Sequence, residues 1–272
     1  MSDTTAVHRA LTRVEMEREA ATDRAAAFEA FERRVRDVPA EPPTAEGARY
    51  RRGTTGTPAA AMATAVGVAG STPSTSDDRC VTVREAFAET VRQHSTADVA
   101  TDDSPVEAIA TELTEDIAVA LAAETGWSPA LKRAVLEATA DRKREATAVC
   151  DALDEERQAL ETAIDDIDEI VAWLRTTADE SLLQCGFDVL RAKHDRLERY
   201  RNRLETLTSE RQDCLTESTN RNETGGTHHR SLVISLYADL SVRYPLLSTA
   251  TRLYGICGDC QRTVRAHLAR RV

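Results

Sequence analysis

The residues with the most evident capacity for chemistry lie near one end of the sequence, at Cys257-Gly258-Asp259-Cys260. A CxxC pair can cycle between dithiol and disulfide, or supply half of a zinc site. His267 follows Cys260 by seven residues, which returns it to the same helical face. Cys257, Cys260 and His267 are therefore the candidate zinc ligands. Cys214, Cys185 or His228 are candidates for the fourth position that a closed site needs. Three features weigh against a metal or redox role. No second CxxC is present, the pair sits on a helix-patterned apolar stripe, and no strand precedes it as in a thioredoxin-like site. A buried cysteine packs as a small hydrophobe, and core packing is the favoured reading. We expect no cofactor, with zinc as the alternative.

Arg262, Arg265, Arg270 and Arg271 follow Asp259 with no acidic residue after it. Cations at the end of a helix complement its dipole. The alternative is a patch for nucleic acid. The acidic run Asp165-Asp166-Ile167-Asp168-Glu169 reads as a solvated face between apolar positions. None of the six histidines follows a Glu by three residues, as a di-iron bundle requires. No GxGxxG, phosphate-binding loop or G-x-S-x-G elbow is found. No catalytic set is assembled by these residues, and the chain reads as a non-enzyme.

The elements that must carry these residues are helices. Between Ser128 and Ser218 two arms are written in heptads. Leu153, Leu160, Ile167 and Leu174 mark the first; Leu183, Leu190, Leu197 and Leu204 mark the second. Seven-residue spacing keeps one stripe on one side of a helix. Two neighbouring stripes bury each other as an antiparallel hairpin. The phase is poor near Arg142 and Glu145, where a stutter or bend is expected. Ser181-Leu182-Leu183-Gln184 reads as a capping box that starts the return arm.

Around the hairpin, residues 4–38 read as one helix, with Val7, Val14, Phe28 and Val35 on its stripe and Pro39 ending it. Residues 39–79 hold five prolines and Ser/Thr clusters, and are expected to be a disordered linker. A short helix follows over Val81–His94. Ser104-Pro105-Val106-Glu107 is a capping box that opens a helix carrying Ile109, Leu113, Ile117 and Leu121. Gly126 is placed to end it, and Ser128-Pro129 to start the next. This corner reads as an ordinary helical joint in preference to a DNA-reading turn, since the first turns of the next helix are not strongly basic. After a polar loop, Leu232, Leu236 and Leu240 suggest a short helix, although Val233–Tyr237 could pass for a strand. Pro245 precedes a final helix.

Composition sets further bounds. The net charge is −11, and three of the 35 basic residues are Lys. An acidic, Lys-poor, Ala- and Thr-rich chain suits concentrated salt and argues against nucleic acid as a partner of the whole. Aromatics are 4% of the chain. The sequence opens on polar residues, and its one weakly polar run, Ala59 to Ala69, falls short of a bilayer span. A cytoplasmic protein with its six cysteines as thiols is expected, with no membrane partner.

Several stretches resemble an uncharacterised helical family of haloarchaea, known as a domain of unknown function. They are Cys80 to Val91, Ser128-Pro129-Ala130-Leu131-Lys132-Arg133-Ala134, Leu153-Asp154-Glu155-Glu156-Arg157, Leu236-Tyr237-Ala238-Asp239-Leu240 and Tyr244-Pro245-Leu246-Leu247. The resemblance implies a helical, coiled-coil protein and no assigned activity. Where similar proteins carry an acidic, aromatic segment after the His94 region, this chain has only Ser95 to Asp103.

The expected fold is all-α: a long antiparallel helical hairpin (128–218) with flanking helices in a coiled-coil-like bundle, and a disordered N-terminal linker. The expected segments are an amphipathic helix (1–38), the linker (39–79), a helical domain (80–218) and a C-terminal helical segment packing on it (231–272). The expected role is a non-enzymatic scaffold or interaction module, forming a homo-oligomer or binding a protein partner through its heptad stripes. The alternative is a small nucleic-acid regulator using the C-terminal arginines, zinc-stabilised through Cys257, Cys260 and His267.

Overall fold

The computed structural model describes residues 5–41, 75–95, 104–123, 126–220 and 229–270. Among these there is no strand. The elements are α1 (Ala6–Asp37), α2 (Thr75–Thr90), a 3-10 turn (Arg92–His94), α3 (Pro105–Glu112), α4 (Glu115–Ala122), α5 (Pro129–Ala178), α6 (Phe187–Asn220), α7 (His229–Leu236) and α8 (Pro245–Ala269). The chain forms two compact units, one of residues 1–19 with 148–272 and one of residues 20–147. Both α1 and α5 contribute a segment to each. Most of the linker expected over 39–79 lies outside the described residues. Its flanks do not: the Glu41 N–H donates to the Trp127 carbonyl at 2.9 Å, and α2 already begins at Thr75.

The unit of residues 20–147 is built on the second half of α1. Phe28, Phe31, Val35 and Val38 pack with Val83, Phe87, Ile109, Leu121 and Trp127 in one buried cluster. Phe31 meets Phe87 edge to face at 5.5 Å, the arrangement that ring quadrupoles favour. Gly126 has φ 81, a left-handed conformation that costs glycine little and turns the chain sharply. Trp127 is fully buried at that corner and its indole donates to the Val38 carbonyl at 3.3 Å. The Ser128 hydroxyl accepts the Leu131 N–H at 3.1 Å and starts α5. Lys132 donates to the Arg36 and Val38 carbonyls, both at 2.7 Å, and so closes the C-terminus of α1.

One expected helix proves to be two. The Ser104 capping box forms with both of its hydrogen bonds, but α3 stops at Glu112. Thr114 is extended and its hydroxyl accepts the Ile117 N–H at 3.2 Å, which starts α4 with Glu115 and Asp116 in the first turn. A hydroxyl cap followed by two acids out-competes helix continuation.

The other unit contains the hairpin. Lys193 of α6 meets Glu180 at 2.6 Å, Tyr200 meets Glu169 at 3.2 Å and Arg211 meets Glu156 at 2.7 Å. Numbers fall along one arm as they rise along the other, so the arms are antiparallel. Leu153, Leu160, Ala163, Ile167 and Ile170 of α5 are buried, as are Leu190, Leu197 and Leu204 of α6. The first turns of α1 dock on this hairpin through Val7, Ala10 and Val14, all fully buried. Arg18 pairs with Asp154 at 2.6 Å and His8 with Asp168 at 3.4 Å, so α1 runs antiparallel to α5 here. Segment 233–237, ambiguous in sequence, is helical up to Leu236 in α7, and Pro245 opens α8, which packs along α6.

The return arm starts later than the sequence suggests. The Ser181 segment forms a tight turn, with the Gln184 N–H on the Ser181 carbonyl at 3.1 Å. Helix α6 begins at Phe187, with Gly186 offering the first carbonyl to Leu190. Leu183 therefore leaves the stripe and is 72% exposed. Near Arg142, where a stutter or bend is expected, α5 is one unbroken helix, and the boundary between units falls at Thr147 and Ala148.

Gly255 is exposed in the middle of α8, and a Cβ there would meet nothing within 4 Å. Glycine costs a helix interior about 0.5–1 kcal/mol relative to alanine. Gly255→Ala should raise the melting temperature by about 2–4 °C in a circular-dichroism melt; a lower value would contradict this packing.

Candidate functional site

The unit of residues 1–19 and 148–272 carries the CxxC, the C-terminal arginines and a cavity of about 1000 Å³. On α8 the four residues of the CxxC segment face different surroundings. Cys257 is fully buried, Gly258 is buried, Asp259 is exposed and Cys260 is half-buried. Burial, and then the neighbouring Cys260, push the Cys257 thiol up to about 11. Burial, and then Asp259, also raise Cys260. A thiol displaced upward is a poor nucleophile at neutral pH, because the thiolate is the reactive form.

His267 lies on the same helix, half-buried, about 10 Å farther along its axis by the rise of an α-helix. Cys185 is half-buried at the hairpin turn, Cys214 is exposed on α6, and His228 lies outside the described residues. Among the described residues, one set of three metal-type donors has its ligand atoms within 4.8 Å of one another: His194, Asp195 and Glu198, on the surface of α6. Cys257, Cys260 and His267 do not form such a set.

The arginines are placed plainly. Arg262, Arg265 and Arg270 are exposed, and Arg271 lies outside the described residues. Arg262 is held by Asp259, one turn earlier on α8. Arg201 of α6 also reaches this part of α8. The guanidinium of Arg201 lies 4.5 Å over the Tyr254 ring and donates to the Tyr254 hydroxyl at 2.7 Å and to Gln261 at 2.9 Å. Its Nε is buried with no hydrogen-bond partner. A Cβ on Gly258 would stand 3.8 Å from that Nε, an ordinary van der Waals contact. Arg201 also favours the Cys257 thiolate, but less than burial disfavours it.

Three residues that sequence reasoning passed over form the most buried polar group of this unit. Glu156 has no exposed surface and Arg211 is 6% exposed. Arg211 grips Glu156 with two nitrogens, at 2.7 and 2.8 Å, and the Tyr237 hydroxyl donates to the same carboxylate at 2.7 Å. Burial, then the Glu156 charge and hydrogen bond, hold the Tyr237 phenol above its usual range. Burial opposes the Arg211 charge, but pairing with Glu156 outweighs it and raises its affinity for the proton. A signal was present. Glu156 follows Leu153 by three residues and Arg211 follows Leu204 by seven, so opposite charges occupy stripe positions on the two arms.

A cavity of about 1000 Å³ opens near the turn of the hairpin, between the start of α1, the end of α5 and α8. Its walls include Trp173, Leu197 and Ile256, and Cys260 faces it.

Residues 5–261 match the model of a known family, described as domain of unknown function DUF7260. The chain belongs to this family. The DUF7260 match covers both units and the CxxC as far as Gln261, and leaves Arg262 onward outside it. No curated protein and no solved structure matches the chain.

A thiol raised by burial ties stability to alkaline pH. The unfolded chain releases this proton near its ordinary value of 9.0, whereas the folded chain holds it to about 11. Between those values the folded state binds more protons, so stability falls as pH rises. The loss attributable to Cys257 should be on the order of 2 kcal/mol. Urea midpoints at pH 8 and near pH 11 check this: Cys257→Ala should show the shallower alkaline decline, and an equal decline would refute it.

Proposed function

We propose that this DUF7260 protein is a non-enzymatic helical interaction module that self-associates through the turn of its hairpin. The observation that carries the reading is the exposure of large apolar side chains there. Leu183, Phe187 and Val189 are 72%, 46% and 49% exposed, all within or just after the turn between α5 and α6. Exposed apolar groups gathered in one place mark contact surfaces. The stripe residues proper, Leu153 to Ile170 and Leu190 to Leu204, are occupied by the chain's own helices, so the turn offers the apolar surface that the stripes do not. Coiled-coil-like packing along these stripes is part of the proposal.

The side chains with chemical capacity serve packing in this reading. Cys257 is buried and raised, and Glu156 is consumed by Arg211 and Tyr237. The nucleic-acid alternative draws less support, because Arg262 is committed to Asp259 and the net charge is −11. We further infer a salt-adapted, cytoplasmic protein of haloarchaeal type, from the acidic, Lys-poor composition. Among the described residues no helix is long and apolar enough to cross a membrane.

Light scattering in high salt tests the reading. The full chain should run as a dimer or larger, and Leu183→Glu with Phe187→Glu should return it to a monomer with unchanged helicity. A monomeric parent, or an assembly indifferent to both substitutions, would overturn it.

A further inference from the structure

We propose that the cavity beside α8 binds an anionic amphiphile, a medium- or long-chain carboxylate. Its volume, about 1000 Å³, is at the upper end for small-molecule sites. Val171, Leu174, Leu197, Leu253, Ile256 and Val264 give it an apolar wall contributed by α5, α6 and α8. Four cations come to the same cavity from four helices: Arg9 of α1, Arg175 of α5, Lys193 of α6 and Arg252 of α8.

The two carboxylates that also line it are already engaged. Glu180 is held by Lys193 at 2.6 Å, and Asp259 by Arg262. Arg9 and Arg252 are exposed and form no ion pair among the described residues. The cavity is therefore locally positive in a chain of net charge −11. Such a concentration of cations beside an apolar wall is complementary to a ligand with an anionic head and a hydrocarbon tail. A neutral hydrocarbon would leave the arginines without purpose, and a small inorganic anion would leave the apolar wall uncovered.

Trp173 lines the cavity and reports on it directly, while Trp127 lies in the core of the other unit. The probe is dodecanoate brominated at its terminal carbon, titrated below its micelle concentration onto the full chain, with tryptophan fluorescence as the readout. The proposal expects saturable quenching that disappears in Trp173→Phe. Arg9→Ala with Arg252→Ala, both on the surface, should weaken binding by about fivefold, as two partly exposed ion pairs would. The brominated alcohol of the same length should bind more weakly than the carboxylate. The proposal is overturned by non-saturable quenching, by quenching that survives Trp173→Phe, or by equal affinity in the double variant or for the alcohol.

Discussion

The hairpin unit depends on a charge pair set where a coiled stripe would carry leucines. Glu156 and Arg211 face each other across the two arms, joined by two hydrogen bonds and capped by the Tyr237 hydroxyl. Burying both charges costs several kcal/mol per ion, which their mutual attraction offsets only when geometry and hydrogen bonding are complete. Sliding one arm by a turn would place each charge against leucines. The pair contributes less to net stability than to the choice of register, and Tyr237 ties α7 into the same choice.

The other unit repeats the device with different parts. Glu112, at the end of α3, is nearly fully buried and is met by Arg24 of α1 at 2.7 Å and by the Ser95 hydroxyl. Arg142 of α5 donates to the Glu112 carbonyl at 2.7 Å. In this unit α1 thus reaches the buried carboxylate through Arg24, while α5 reaches the backbone of the same residue through Arg142. This explains how stripes poor in aromatics specify one arrangement. Leucine and alanine alone pack almost equally well in several registers, whereas a buried carboxylate tolerates only one.

Much of this was legible where local chemistry is strong. The heptad positions Leu153, Leu160 and Ile167 and then Leu190, Leu197 and Leu204, the Ser104 box, Gly126 with its positive φ, and Pro129 opening α5 all act over a few residues, and each appears where the sequence put it. Failures came where two local signals competed. Thr114 with Glu115 and Asp116 broke a helix whose apolar spacing ran straight through. Ser181 had the letters of a capping box but gave way to a turn ended by Gly186, and the first leucine of the return arm was left in solvent. The phase loss near Arg142 carried real information of another kind: it marks a change of packing partners near Thr147, with the helix itself unbroken. The cavity was illegible because its lining comes from four helices distant in sequence. The CxxC drew attention by its letters, yet Cys257 is fully buried and Cys260 half-buried on α8.

The central claim is that Glu156 and Arg211 act as one unit that sets the hairpin. A double-mutant cycle in urea, with Glu156→Gln, Arg211→Met and the two combined, measures it most directly. Each single change strands a buried partner and should cost about 3–5 kcal/mol, while the combination should cost less than the sum by at least about 2 kcal/mol. Losses that simply add would contradict the account, and would show the two residues contributing to the fold independently.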